Sequence, residues 1–186
     1  MRLKLKTVPF RRKQEGKTNY YKRLRLLRTQ CARVIVRPAL ANITAQIATY
    51  DEKGDRIVIG VTGKALERYG WKVHKGNVPT AYLTGYLLGR MAISKNIKEA
   101  ILDTGLRSPV KRGRIYACVK GLRDAGVHIP VEESILPPEN RIKGQHIAAY
   151  AQQNKERFTD YTRKGIDPAA LVQLFSEVKK KIEEQS

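Results

Sequence analysis

The chain has 186 residues with 41% hydrophobic content, and its 37 Lys and Arg against 17 Asp and Glu leave a formal net charge of +20 and a pI near 10.2. That length suits one core plus extensions, and the charge calls for a polyanion: a free protein repels itself at such an excess, whereas the phosphates of a nucleic acid release condensed counterions on contact. No apolar run reaches the ~18 residues of a membrane span, the leader MRLKLKTVPFRRK lacks a signal peptide's apolar core, and Cys31 and Cys118 stand alone without metal-ligand spacing, so a cytoplasmic protein with no membrane, cofactor, metal or small-molecule substrate is expected.

The charge is concentrated at the beginning. Residues 1–37 hold thirteen basic side chains and one acid, Glu15, and so carry twelve of the twenty excess charges. Within RRKQEGKTNYYKRLRLLR, the cations Arg11, Arg12, Lys13, Lys17, Arg23, Arg25 and Arg28 are candidates for phosphates. Thr18 and Asn19 offer neutral hydrogen bonds, and Tyr20 and Tyr21 offer rings for exposed bases or riboses. Short charge runs are usually solvated tails. This one runs into a helical segment, 20–28, whose Leu24, Leu27 and Tyr20 are expected to dock on the core, and its cations are expected to become ordered on RNA.

Next, the β-branched stretch 32–37 predicts a strand, followed by two more at 43–50 and 56–62. The hairpin loop 51–55 between the latter pair has Gly54 free to take positive φ. A short helix, 64–69, is closed by Gly70, and Trp71 is expected to seal the core edge. Asn77 is a natural N-cap, with Pro79 in the first turn, for a helix reaching about Lys95. Its buried face would be Val78, Ala81, Tyr82, Leu88, Met91 and Ala92. The Gly85 and Gly89 pair points to close packing of this helix on the sheet.

Residues 99–103 read as a fourth strand and 115–125 as a second core helix, with Ile115, Cys118, Val119 and Leu122 on one face and Gly126 at its end. The loop between them holds Arg107, Lys111, Arg112 and Arg114 without an acid, a second candidate RNA contact. A proline-bearing stretch from His128 leads to a helix at 144–153 and a last helix begun by Asp167-Pro168. There Leu171, Leu174, Phe175, Val178 and Ile182 form one stripe that must rest on the core or a partner. The expected fold is α/β: a mixed sheet of three antiparallel strands plus a fourth, two core helices, a basic N-terminal arm and C-terminal helices. The divisions are 1–30 for the arm, 31–130 for the core domain and 131–186 for the extension.

Catalytic readings are weak. Asp103-Thr104-Gly105 has the form of an aspartic-protease signature, but that chemistry needs two carboxylates sharing a proton and there is no second copy. Asp51, Asp55, Asp103 and Asp124 are not expected to converge on metal ions as two-metal phosphoryl transfer requires. Residues 60–64 lack the Walker spacing, and His74, His128 and His146 are scattered. No enzyme is expected.

Five segments in order, RRKQEGKTNYYKRLRLL, YGW at 69–71, GNVPTAYLTGYLLG from Gly76, ILDTGL from Ile101 and GQHIAAYAQQ from Gly144, resemble the universal large-subunit ribosomal protein number eighteen, the L-eighteen family. The eukaryotic members carry a longer C-terminal extension, so a chain ending at Ser186 resembles the archaeal type. The resemblance implies a structural constituent of the large subunit that binds 5S rRNA and helps attach it to large-subunit rRNA at the central protuberance. It implies protein neighbours too, among them the other 5S-binding protein, large-subunit protein five. It places RNA along the basic arm and on one sheet face, which implicates Arg33, Arg37 and Asn42. It also implicates Asn77, Pro79, Thr80 and Tyr82 at the start of the core helix. The segment after Asn154 fits the family pattern least well.

Overall fold

The computed structural model describes residues 7–163 and 165–185; the start of the expected arm, residues 1–6, lies outside them. Behind two short arm helices, α1 (Arg11–Gln14) and α2 (Tyr20–Leu27), the β-branched stretches become β1 (Ala32–Pro38), β2 (Ile43–Thr49) and β3 (Arg56–Thr62). These pair antiparallel in sequence, and β4 (Ala100–Asp103) adds to the far side of β1 in parallel, giving the order β3-β2-β1-β4. Glu99 falls just outside the strand, bridging His128 instead.

Period-two alternation gives the sheet two different faces. Val34, Val36, Ile43, Ala45, Ile47, Ile59 and Val61 point inward and are buried. Arg33, Ile35 and Arg37 take the alternate positions on β1, where they pair across to Ala48, Gln46 and Thr44. The helices cover the inner face. Gly70, at φ 93°, ends a 3-10 turn (Gly63–Tyr69) and drops Trp71 into the core at 0% exposure. Asn77 then caps α3 (Val78–Ser94), its side-chain oxygen accepting from the Thr80 amide at 2.9 Å.

Helix α3 is buried on nearly every side from Pro79 to Gly89 rather than along a single stripe, and the expected core residue Met91 is exposed. The reason is that it is enclosed by the sheet, the preceding 3-10 turn, α4 (Arg114–Asp124), the short helix at Glu139–Ile142 and the last helix. Gly85 and Gly89 therefore meet a helix, not the sheet as expected. A Cβ on Gly85 would strike the Cys118 carbonyl, one on Gly89 would strike Ala125, and Gly121 of α4 sits equally tight against the Tyr82 carbonyl. Burial pushes the Cys118 thiol up to about 12.

The chain continues through α5 (Glu139–Ile142), α6 (Gln145–Gln153) and α7 (Thr159–Arg163) to α8 (Leu171–Glu184). In α6 the buried positions are Ala148 and Ala151, while Tyr150 is exposed. The apolar stripe of α8 rests on the core, with Phe175 at 6.4 Å from Trp71 and 5.6 Å from Tyr82 between ring centroids. Among the described residues no helix is long and apolar enough to cross a membrane.

Candidate nucleic-acid interface

The outer sheet face, the arm and the loop after β4 enclose a groove of about 350 Å³. Its wall includes Arg12, Lys17, Thr18, Asn19, Lys22 and Arg23 from the arm, Arg37 from β1 and Arg107 from the loop, with Arg33, Asp55 and Asp103 among them. Both of these carboxylates are neutralised within the protein, and Lys17 pairs with Glu15 at 2.9 Å. Among the described residues the remaining charge of the groove is therefore that of Arg12, Lys22, Arg37 and Arg107. Guanidinium forks and ammonium groups spread along a concave wall suit the oxygens of a phosphodiester backbone.

The neutralising arrangement centres on Arg33, which is 1% exposed. Its Nη1 lies 3.0 Å from Asp103 Oδ2 and its Nη2 lies 2.5 Å from Asp55 Oδ1. Arg23 of α2 meets the same Asp55 in a bidentate pair, Nη1 to Oδ2 at 2.6 Å and Nη2 to Oδ1 at 2.8 Å. Desolvation alone would raise the Asp55 pKa, yet the two guanidiniums outweigh it and hold the carboxyl below its ordinary value. Arg23 is raised in turn by its hydrogen bond to Asp55. The neighbouring Lys22 ammonium donates to Thr104 Oγ1 at 2.6 Å and to the Gly105 carbonyl at 3.1 Å. The Asp-Thr-Gly triplet is therefore a binding turn for the arm and for Arg33. Asp55 and Asp103 do come together, on an arginine.

The arm is attached by these polar contacts. Leu24, expected to dock, is 55% exposed, and α2 buries no residue, although Tyr20 and Leu27 are half-buried. Tyr20 stacks at a tilt against Phe10 with 5.1 Å between centroids, and Lys13 lies over the Tyr21 ring at 5.8 Å. Tyr21 itself is 76% exposed. Arg12 Nε donates to Thr18 Oγ1 at 2.9 Å, closing the loop between α1 and α2.

Of the residues singled out in the sequence, Arg12, Lys17, Thr18, Arg23, Arg37 and Arg107 come together at the groove. Arg11, Lys13, Arg25 and Arg28 are exposed on the arm beside it, with Arg11 paired to Glu15 at 3.1 Å. Lys111 is exposed, and Arg112 opens on a separate depression with Lys120 and Arg123. Asn42 is half-buried at the sheet end, its side-chain oxygen accepting from the Ile43 amide at 2.9 Å.

Five of the expected contacts have side chains held largely by the protein itself. Arg33 is the buried ion-pair centre just described. Pro79 is buried in the first turn of α3, and the Asn77 side chain is half-buried with its oxygen engaged in the cap. Thr80 Oγ1 accepts from Trp71 Nε1 at 2.8 Å and donates to the His74 carbonyl at 2.8 Å. The Tyr82 hydroxyl donates to Asp124 at 2.7 Å, and burial with that bond raises its pKa strongly. Sequence reasoning missed Lys22, which its place in the basic run could have shown. It also missed the role of Asp55, for which no local signal exists. Among the described residues no group of three or more His, Cys, Asp or Glu could hold a metal ion.

Residues 4–99 match a family described as ribosomal large subunit proteins 60S L5 and 50S L18. Over 185 residues, covering 95% of this chain and 94% of the relative, the sequence is 43% identical to the large ribosomal subunit protein uL18 of Thermofilum pendens.

Proposed function

Since the chain belongs to the family of ribosomal large subunit proteins 60S L5 and 50S L18, we propose that it binds 5S rRNA in the arm-and-sheet groove and helps attach that RNA to large-subunit rRNA at the central protuberance. Membership itself makes it a structural constituent of the large ribosomal subunit and not an enzyme, at work on the ribosome in the cytoplasm. The observation that carries the finer reading is the groove, where arm, sheet and loop bring Arg12, Lys22, Arg37 and Arg107 onto one concave wall. The choice of 5S rRNA comes from the family resemblance in the sequence.

The labour divides along the chain. The arm, 1–30, supplies phosphate contacts from Arg11, Arg12, Lys13, Lys17, Arg25 and Arg28, and a stacking ring from Tyr21. The core, 31–130, supplies the groove floor with Arg37 and Arg107, and the shape that sets register. Lys111 and Arg112 supply a second set of phosphate contacts outside the groove. The extension, 131–186, counts nine basic and nine acidic residues, so it fits protein neighbours, such as large-subunit protein five, better than phosphate.

Titration of 5S rRNA at several salt concentrations tests this. If six to ten phosphates are engaged, log K falls against log salt with a slope of roughly −4 to −9, at ~0.7–0.9 per phosphate. A slope near zero, or equal competition by an unrelated RNA of the same length, contradicts it; the second outcome is that of a nonspecific packaging protein.

A further inference from the structure

An acid in a phosphate-binding groove needs a reason. Asp55 repels every phosphate that approaches Arg37 or Arg107, and a basic interface would be more attractive without it. Its surroundings supply the reason. Arg23, on the arm, and Arg33, on the sheet, both close on the one Asp55 carboxylate, at 2.6 and 2.8 Å for the first and 2.5 Å for the second. One residue away, Lys22 ties the same helical turn to Thr104 and Gly105 on the opposite side of the groove. Apolar packing contributes less, because α2 leaves its apolar side chains at most half-buried. An eight-residue helix is also too short to hold its shape in water without a docking partner.

We propose that Asp55 is a positioning residue for RNA binding: it clasps Arg23 and so holds the arm against the sheet before RNA arrives, keeping the groove preformed. This rests on the reading of the groove as an RNA site. The gain is one of preorganisation. A complex that need not order eight residues and their long cationic side chains keeps the free energy that ordering would consume. The arm is thus docked at its second helix from the outset, and the ordering expected of its cations on RNA is left to the exposed side chains.

The proposal inverts the sign that charge alone predicts. Asp55→Asn removes one negative charge from a cationic wall, which by electrostatics should tighten RNA binding; the clasp predicts weakening, by about fivefold. The experiment uses the full chain as wild type, Asp55→Asn, Arg23→Gln and the double variant, with two readouts. Hydrogen exchange of the 20–27 amides in RNA-free protein reports docking. Binding of 5S rRNA at fixed salt reports the consequence.

Both single variants are expected to speed exchange in α2, and the double variant is expected to bind no more weakly than either one. Unchanged α2 exchange in both variants overturns the clasp, whatever happens to affinity. Equal or tighter RNA binding by Asp55→Asn overturns its part in recognition, and so do losses that multiply in the double variant. Arg23→Gln leaves Arg33 with both carboxylates, so it decides the matter even if Asp55→Asn fails to fold. Failure of the wild type to bind 5S rRNA removes the reading of the groove instead, and leaves exchange to judge the clasp.

Discussion

A tyrosine and an aspartate show how far a side chain's surroundings decide its role. Tyr82 sits in a stretch that the resemblance assigns to RNA, yet its hydroxyl donates to Asp124 and its ring stacks on Tyr86 at 6.2 Å, with Lys179 over both. Tyr86 is likewise pushed up to about 12, by burial first and then by its bond to Glu183. Tyr82→Phe should therefore leave 5S rRNA affinity unchanged and cost about 1.5 kcal/mol of stability in a denaturant titration, the lower end for one hydrogen bond to a charged group, since Asp124 is exposed. A large loss of affinity with full stability would restore it as an RNA contact. Asp55 makes a pH prediction. Its native pKa lies below the unfolded value, so its contribution to stability is complete above about 3.9, the ordinary value for Asp, and disappears as pH falls through the lower native value. Asp103 and Arg33 face it from the sheet and Arg23 from the arm. Acid unfolding followed by circular dichroism should thus be steeper in the wild type than in Asp55→Asn, and identical curves would show that the ion pairs add nothing.

At the level of elements, the contact between α3 and α4 is the tightest in the fold. Replacing Gly85 by Ala favours the helix itself by about 1 kcal/mol, but the new methyl collides with the Cys118 backbone carbonyl, and neither helix backbone can yield without disturbing its packing on the sheet. Overpacking against a side chain costs roughly 1–3 kcal/mol, and against a backbone the upper end is the expectation. Gly85→Ala is expected to lower the denaturation midpoint despite its better propensity; a rise would mean that the helices can separate at little cost. This contact also marks the boundary of what was legible in the chain. The periods of β1 to β3, the Asn77 cap and the stripes of α4 and α8 are local signals, and each element formed within a few residues of expectation. Gly85 and Gly89 announced a close approach without naming the other surface, because Gly121 lies more than thirty residues further on. Arg33, Asp55 and Asp103 were harder still. Their meeting depends on the strand order β3-β2-β1-β4, in which β4 joins β1 across a long connection, and nothing in the flanking residues encodes that pairing. The candidate site was legible as a basic run and a basic loop, while the acid that holds them in one groove was not.

Across the whole molecule the charge is divided as sharply as the structure. Residues 131–186 are balanced, so the entire excess of +20 belongs to residues 1–130, and residues 1–28 alone hold eleven basic side chains against Glu15, which is half of it. Removing residues 1–28 should consequently do two separable things. Stability should change little, since α1 and α2 contribute no buried residue, and Arg33 keeps both of its carboxylates; the pair between Arg23 and Asp55 that goes with the arm is partly exposed, and such pairs are worth about 1 kcal/mol or less. Affinity for 5S rRNA should fall by orders of magnitude at moderate salt. Each phosphate that is no longer neutralised takes ~0.7–0.9 from the salt slope, so if the arm meets about five phosphates the slope should shrink by roughly 4. Thermal unfolding and a salt series on the truncated chain measure the two effects independently. A truncated protein that melts far below the full chain would make the arm part of the core. One that keeps the full slope would place the RNA on the remaining wall, with Arg37 and Arg107 bearing the phosphates alone.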